Sequence, residues 1–150
     1  DYEGTDVAAA KATNNYETYG VLYNWPAVMT ESICPSGWHI PSDGEWQTME
    51  ISLGMSEADA SSTGWRGTDE GLKMKDDVHW NGSNSSGFTG LPGGVRYSGS
   101  FVSDGEYGYW WSASESGSYS WARGLSSYDD DVVRYNDGRY VGISARCEKD

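Results

Sequence analysis

The sequence predicts one α+β domain of short, twisted antiparallel strands, one or two helices and long irregular loops. Three observations carry that expectation. The 150 residues include 20 Gly, 8 Trp and 11 Tyr but 2 Phe, so the core must be filled by rings whose polar edges need partners. The C-terminal half breaks into short alternating apolar runs separated by Gly, Asn, Asp and Ser, the pattern of strands and turns. One segment, 43–53, carries a full set of helix signals. A chain of this length buries about 68–70% of its unfolded surface around one core. No linker or internal repeat divides it, so 19–150 is expected as a single domain behind an arm, 1–18.

The arm is polar with an Ala-rich patch at 8–12, suited to an ordered arm or at best a short helix. The first residues show no leader or lipidation cysteine and read as those of an excised mature domain. Tyr19–Trp25 reads as a strand running into a short helix at Pro26–Thr30, where proline suits the first helical turn. Trp38–Ile40 should be a brief strand. Ser42 with Glu45 three residues on forms a capping box. Trp46, Met49, Ile51 and Leu53 give the helix of 43–53 its apolar residues, and Gly54 ends it. Residues 55–87 read as irregular, with turn signals around single large apolar residues. Phe88–Val95, Gly108–Ser114, Trp121–Leu125, Val132–Tyr135 and Tyr140–Cys147 then follow as strands. In the last, Val141, Ile143, Ala145 and Cys147 alternate with smaller or polar residues, as in a half-buried strand. Trp25, Trp38, Trp46, Trp110 and Trp111 are assigned to the core. Arg96 and Arg146 are expected to satisfy buried carboxylates or carbonyls, since an unpaired Arg is rarely buried.

Ten basic against 23 acidic residues give a formal charge of −13. That sign opposes nucleic acid, whose phosphates need cationic partners, and opposes anionic membrane surfaces. With no run of 18 apolar residues, no membrane insertion is expected either. The two cysteines, Cys34 and Cys147, are either a bridge or two buried thiols. We expect the bridge, which would close a loop worth about 4–5 kcal/mol in the entropy model and place the chain in an oxidising compartment. Without a C-x-x-C pair or a His-rich partner they do not read as a metal or redox pair.

From Ser112 to Tyr140 the chain holds 7 Ser, 4 Tyr, 4 Asp, 3 Gly and 1 Asn, and no Lys. Tyrosine gives broad amphipathic contact at low entropy cost, and Ser, Gly and Asn adapt their hydrogen bonds, so this segment reads as a recognition surface. Ligand contacts are expected from Ser118, Tyr119, Tyr128, Asp129, Asp130, Asp131, Tyr135, Asn136, Asp137 and Tyr140. Further aromatics near that face are Tyr97, Tyr107 and Trp121. Asp129 and Asp131 share a face of an extended strand, and with a carbonyl they could hold Ca²⁺. The spacing fits no EF-hand and the Glu-Pro-Asn or Gln-Pro-Asp triplet of sugar-binding lectins is absent, so solvated loop acids are the simpler reading. A cofactor is not required. Catalysis is not expected: His39 in the Trp38–Ile40 strand reads as packed or half-exposed, His79 lies in a loop with no nearby nucleophile, no Ser occupies a Gly-x-Ser-x-Gly elbow, and carboxylate pairs are uninformative in so acidic a chain.

Several segments together resemble one bacterial family, the Fibrobacter succinogenes major paralogous domain. They are Tyr19-Gly-Val-Leu-Tyr-Asn-Trp25, Cys34-Pro-Ser-Gly-Trp-His-Ile-Pro-Ser-Asp43 with Glu45-Trp46, Ser86-Gly-Phe-Thr-Gly-Leu-Pro-Gly-Gly94, Tyr109-Trp-Trp-Ser112, and Gly142-Ile-Ser-Ala-Arg-Cys147 with Asp150. Ile143 stands where the family often has Phe. The resemblance implies a secreted or surface-attached bacterial module and leaves its activity open. Ile40-Pro-Ser-Asp-Gly-Glu-Trp46 and Gly142–Arg146 also resemble segments of sulfatase-modifying-factor proteins, which implies a C-type-lectin-like fold and a terminal strand that returns to the start. The closely spaced C-terminal Cys pair of the oxygen-dependent enzymes in that group is missing here. Some members of this broad fold are variable proteins of diversity-generating retroelements. Gly117–Tyr140 fits their diversified palette, as it also fits an undiversified binding loop or a structural segment.

The expected function is an extracellular or cell-surface bacterial adhesin-like module that binds a protein or glycan on another cell or matrix. The alternative is a structural or self-associating surface module, and the sequence leaves the oligomeric state open.

Overall fold

The computed structural model describes residues 6–150 and is organised around three antiparallel strands, β5 (Tyr107–Ser116), β6 (Tyr119–Ser126) and β7 (Val132–Gly138). β5 and β6 join through a two-residue turn that begins with Gly117 at φ +62°, where glycine adopts a positive φ without steric cost. β2 (Gly64–Arg66) pairs with the outer side of β7. A second hairpin, β3 (Gly93–Tyr97) with β4 (Ser100–Asp104), lies beyond β5, giving the order β2-β7-β6-β5-β3-β4. Its turn residues Ser98 and Gly99 have φ +50° and +88°, both left-handed, as the tightest hairpin class requires. A separate two-stranded ribbon pairs β1 (Trp38–His39) with β8 (Glu148–Lys149). Helices and sheets together make this an α+β fold.

Six short helices complete it among the described residues: α1 (Val7–Lys11), α2 (Asn14–Tyr19), α3 (Trp25–Val28), α4 (Asp43–Ser52), α5 (Glu57–Ser61) and α6 (Glu70–Met74). Helix α4 begins as its sequence dictates. The Ser42 hydroxyl accepts the Glu45 N–H, and the Glu45 carboxylate accepts the Ser42 N–H at 2.7 Å. Ser56 caps α5 in the same way, through the Asp59 N–H, so residues 55–87 hold two helices and a strand where an irregular stretch was expected.

Other expectations need correction. Tyr19–Trp25 is not a strand: Tyr19 ends α2, Gly20 turns the chain at φ +75°, and Tyr23 alone bridges to Ile143. Phe88–Val95 is irregular up to Pro92, which has no N–H to give a ladder, and β3 starts only at Gly93. Tyr140–Cys147 is not one strand. It crosses the sheet, bridging in turn to Arg96 through Gly142, Tyr23 through Ile143 and Trp110 through Ser144. No single neighbour runs alongside it, so no ladder forms, although Val141 and Ile143 are buried as their alternation predicts.

Consecutive Trp110 and Trp111 point to opposite faces of β5, as period two demands, and each anchors a core. Trp110 packs with Trp46, Met55, Met74, Trp80, Leu125 and Val132 beneath α4–α6. Trp111 packs with Trp25, Val28, Ile40, Ala122, Val141 and Ile143. The indole edges of the second core are satisfied: Trp25 Nε1 donates to the Ser112 carbonyl at 2.9 Å and Trp111 Nε1 to the Tyr23 carbonyl at 2.8 Å. Trp38 departs from its core assignment. It lies in the two-stranded ribbon and is 43% exposed.

Between α4 and the sheet lies a buried ionic cluster. Glu50 accepts from Arg123 Nε at 2.7 Å and from Arg66, while Asp43 accepts from Arg123 Nη1 at 2.8 Å and from Arg134 at 2.7 Å. Ile51, counted among the apolar residues of α4, is exposed, and Glu50 is fully buried. Arg146 meets the expectation for it by donating to the Phe88 and Thr89 carbonyls. Cys34 and Cys147 form a disulfide across 113 residues with Cα atoms 5.8 Å apart, which fixes the C-terminal segment to the first third of the chain.

Candidate functional site

The central strand β6 carries small residues on the face shared with the second core. Ala122 lies between Trp111 and Tyr135 in register, and Gly124 between Tyr109 and Val133. A Cβ on Gly124 would come within 2.7 Å of both the Tyr109 ring and Val133. The missing side chain lets rings from the strands on either side meet over β6. Tyr109 and Tyr135 pack edge to face at 5.8 Å, Tyr107 stacks on Tyr109 at 5.8 Å, and Tyr128 leans on Tyr107 at 5.9 Å. Such pairs add roughly 0.5–1.5 kcal/mol each beyond their burial.

At the other end Tyr140 folds back over Gly138, where a Cβ would meet its ring at 2.5 Å, and packs on Tyr97 at 6.1 Å. Asp137 links the two groups, lying close enough to Tyr109, Tyr135 and Tyr140 for its charge to act on each. The strip therefore runs Tyr128, Tyr107, Tyr109, Tyr135, Asp137, Tyr140, Tyr97. Tyr97, Tyr128 and Tyr140 are exposed, and the rings between them are half-buried.

The electrostatics suit a neutral, hydrogen-bonding surface. Burial first, and then the neighbouring Tyr107 and Asp137, push the Tyr109 hydroxyl up to about 12. Burial also raises Tyr135 well above the usual phenol range and raises the Asp137 carboxyl, which the Gly138 N–H partly opposes. The Glu106 carboxylate beside Tyr128 raises that hydroxyl by hydrogen bonding. All these phenols keep their donor protons at neutral pH.

Of the expected contact residues, Tyr128, Tyr135, Asp137 and Tyr140 come together in this strip, and Tyr119 stands near Tyr140. Ser118 is exposed in the β5–β6 turn. Asn136 points to the other side of β7 from Tyr135 and bonds Ser116 Oγ at 3.0 Å. Trp121 also faces away, with the Arg134 guanidinium 3.7 Å above its ring. Tyr109 is the strip member that the expectation omitted, as it omitted Gly124, which makes room for its ring. Tyr109 sits in the same register as the buried Trp111, and alternation alone marks both as inward.

The loop 127–131 brings its acids to a different partner. The buried Lys75 ammonium donates to the Asp129 carbonyl at 2.8 Å, the Ser126 carbonyl at 3.1 Å and Asp130 Oδ1 at 3.2 Å. A cation of the chain's own thus occupies the ground between these oxygens. Asp131 is half-buried and its Oδ1 finds no donor among the described residues. Burial and then Asp129, Asp130 and Glu70 raise its carboxyl. Among the described residues, Asp129 and Asp131 join no group of three metal donors, and that arrangement occurs at His39, Glu45 and Glu148. His39 is raised above its ordinary value by its hydrogen bond with Asp150, and then by Glu45.

A family model described as the Fibrobacter succinogenes major domain matches residues 1–149. No curated protein and no solved structure matches the chain. No helix among the described residues is long and apolar enough to cross a membrane.

Proposed function

Because the chain belongs to the Fibrobacter succinogenes major domain family over residues 1–149, we propose that it is an extracellular, adhesin-like bacterial module that binds a protein or glycan through its tyrosine strip. The observation that carries this reading is a run of packed tyrosine rings that passes from half-buried at one end of a sheet face to exposed at its limits. Trp111 and Ala122 are fully buried in the second core, whereas Tyr107 and Tyr109 on the same face are half-buried and Tyr128 and Tyr140 are exposed. Exposed aromatic patches of this kind mark interaction sites, and tyrosines recur at their energetic centres. Asp137, Glu106 and the acids of the loop 127–131 favour neutral or cationic ligands. Recognition by rings and hydroxyls needs no cofactor.

The fold we propose is C-type-lectin-like. The return of the C-terminal segment to β1 and the Cys34–Cys147 bridge support it. The bridge also supports an oxidising location outside the cell. The segment Gly117–Tyr140 supplies Tyr128, Tyr135, Asp137 and Tyr140 to the strip, which suits diversification by a retroelement.

The test is a combined glycan and protein array probed with labelled domain in Ca²⁺ and in EDTA, repeated with Tyr128→Ala and Tyr140→Ala. Both positions are exposed, so the fold should survive. A hit that persists in EDTA and falls at least tenfold in either variant is expected. Hits that neither variant weakens would overturn the assignment of the site. Loss of every hit in EDTA would instead require a metal. Silence on the array, with a concentration-dependent mass that the two variants abolish, would give the face to a second copy of the chain.

A further inference from the structure

We propose a second site, a divalent transition-metal site of the zinc class, formed by His39, Glu45 and Glu148 where the β1–β8 ribbon meets the start of α4. The strand register places His39 directly opposite Glu148. The capping box turns Glu45 back toward both. One donor atom from each of the three lies within 4.8 Å of the others, and His39 Nε2 is 3.1 Å from Glu45 Oε1. Donors on one tetrahedral zinc ion stand about 3.4 Å apart, given bonds of about 2.0–2.2 Å. Small side-chain rotations therefore close the group on an ion.

The outer partners are already in place. Asp150 Oδ1 lies 2.6 Å from His39 Nδ1. An ionised carboxylate can hold that nitrogen only if it carries the proton, which leaves Nε2 to face the acids. Metal-bound histidines are oriented in this way, with the second ring nitrogen donating to a carboxylate. Glu45 is arranged similarly. Its Oε2 accepts from the Ser42 N–H and hydroxyl, both at 2.7 Å, and its Oε1 is left toward His39. Binding would displace the Nε2 proton where the ring is charged and replace one shared proton with an ion bridging all three groups. An imidazole donor selects Zn²⁺ and its neighbours over Ca²⁺, which takes six to eight oxygens.

A second feature adjoins the site. Glu45 and Glu148 also line a cavity of about 240 Å³ floored by Trp46, Met49 and Phe88. Trp46 is 2% exposed, so the cavity meets only a margin of its ring. Three protein donors leave a fourth zinc position for water or for an oxygen ligand.

The purely structural alternative is a charged triad, His39 between Glu45 and Asp150, holding the ribbon together. It gives Glu148 no role, and that separates the two readings. The experiment is calorimetric titration of chelator-treated protein with Zn²⁺, and with Ca²⁺ as a comparison. It is joined by ¹⁵N–¹H spectra of the imidazoles and by melting curves with and without metal. The disulfide removes both thiols from competition. Expected are one Zn²⁺ per chain, a shift of the His39 Nε2 resonance and a higher Tm. Glu148→Gln should weaken binding at least tenfold without lowering the metal-free Tm. Asp150→Asn should weaken it about 10–100-fold. His79→Gln, at the other histidine, should change nothing. Absence of Zn²⁺ binding to the wild type, or equal affinity in Glu148→Gln, overturns the proposal.

Discussion

Replacing Glu50 with Gln removes one charge from the cluster between α4 and the sheet while keeping its shape. The wild-type cluster sets the guanidinium groups of Arg66, Arg123 and Arg134 against the carboxylates of Glu50 and Asp43. Glu50 and Arg123 expose no side-chain surface, and Arg66 exposes 3%. In the variant a single carboxylate faces three buried cations, and the new amide NH₂ points at a guanidinium that can only donate. Removing one partner of a buried pair costs about 3–5 kcal/mol, a large share of the roughly 5–15 kcal/mol that holds a domain folded. At this chain length 1 kcal/mol moves Tm by about 2–4 °C, so a fall of roughly 6–20 °C is expected. Urea titration and calorimetry with the disulfide intact would measure it. Glu57→Gln, on the exposed side of α5, serves as a control expected within about 0.5 kcal/mol of wild type. A loss for Glu50→Gln no larger than that of the control would refute the reasoning, because it would mean that the two arginines never depended on the carboxylate.

Burial alone would raise the Asp43 carboxyl, but the hydrogen bond from Arg134 and the charge of Arg123 hold it at about 2, against an ordinary 3.8. Its folded value lies below its unfolded one, so about 2 kcal/mol of stability present above pH 4 should be lost as pH falls from about 4 to 2. Asp43→Asn, though less stable overall, should lack that slope in acid titrations followed by urea unfolding. Reduction of the Cys34–Cys147 bridge, or the double Ala variant, should lower stability by about 4–5 kcal/mol for a loop of this length, and unchanged urea midpoints would contradict this. Gly124→Ala drives a methyl into Tyr109 and Val133. It should cost about 1–3 kcal/mol by overpacking and weaken any array-identified ligand at least tenfold. Unchanged affinity would remove Tyr109 from the contact face.

Local signals placed those elements whose hydrogen bonds close within a few residues. Ser42 and Glu45 define the start of α4, and Ser56 with Asp59 could have defined α5 by the same cue. Ser98-Gly99 is a hairpin turn signal that marks the β3–β4 pair, which the expected strands omitted. The Tyr140–Cys147 segment shows where such signals stop. Its alternation is correct for burial of Val141 and Ile143, yet its hydrogen bonds go to Tyr23, Arg96 and Trp110 in turn. No local pattern distinguishes a strand in a ladder from a chain crossing three partners. Helix α4 fails in the opposite direction: residue type favours Ile51, whereas Glu50, four residues after Trp46 and so on its face, takes the buried position because Arg66 and Arg123 reach it from distant strands.

The same distinction decides which polar clusters become sites. Asp129, Asp130 and Asp131 are contiguous and invite a cation on sequence grounds, but the fold brings Lys75 beneath them from 54 residues away. An internal ammonium, already desolvated and hydrogen-bonded to three oxygens, competes with any ion from solution. His39 and Asp150 are 111 residues apart and carry no mutual signal, and Glu148 reaches His39 only through the β1–β8 register. The tyrosine strip lies between these cases. Alternation places Tyr107 and Tyr109 on one face of β5, and Tyr135 and Asp137 on one face of β7. How far that face is covered depends on where α3 and the C-terminal segment come to rest, which leaves Trp111 fully buried and Tyr109 half-buried. Composition reveals that a recognition surface is affordable to this chain, and only the packing of remote segments selects which tyrosines remain at it.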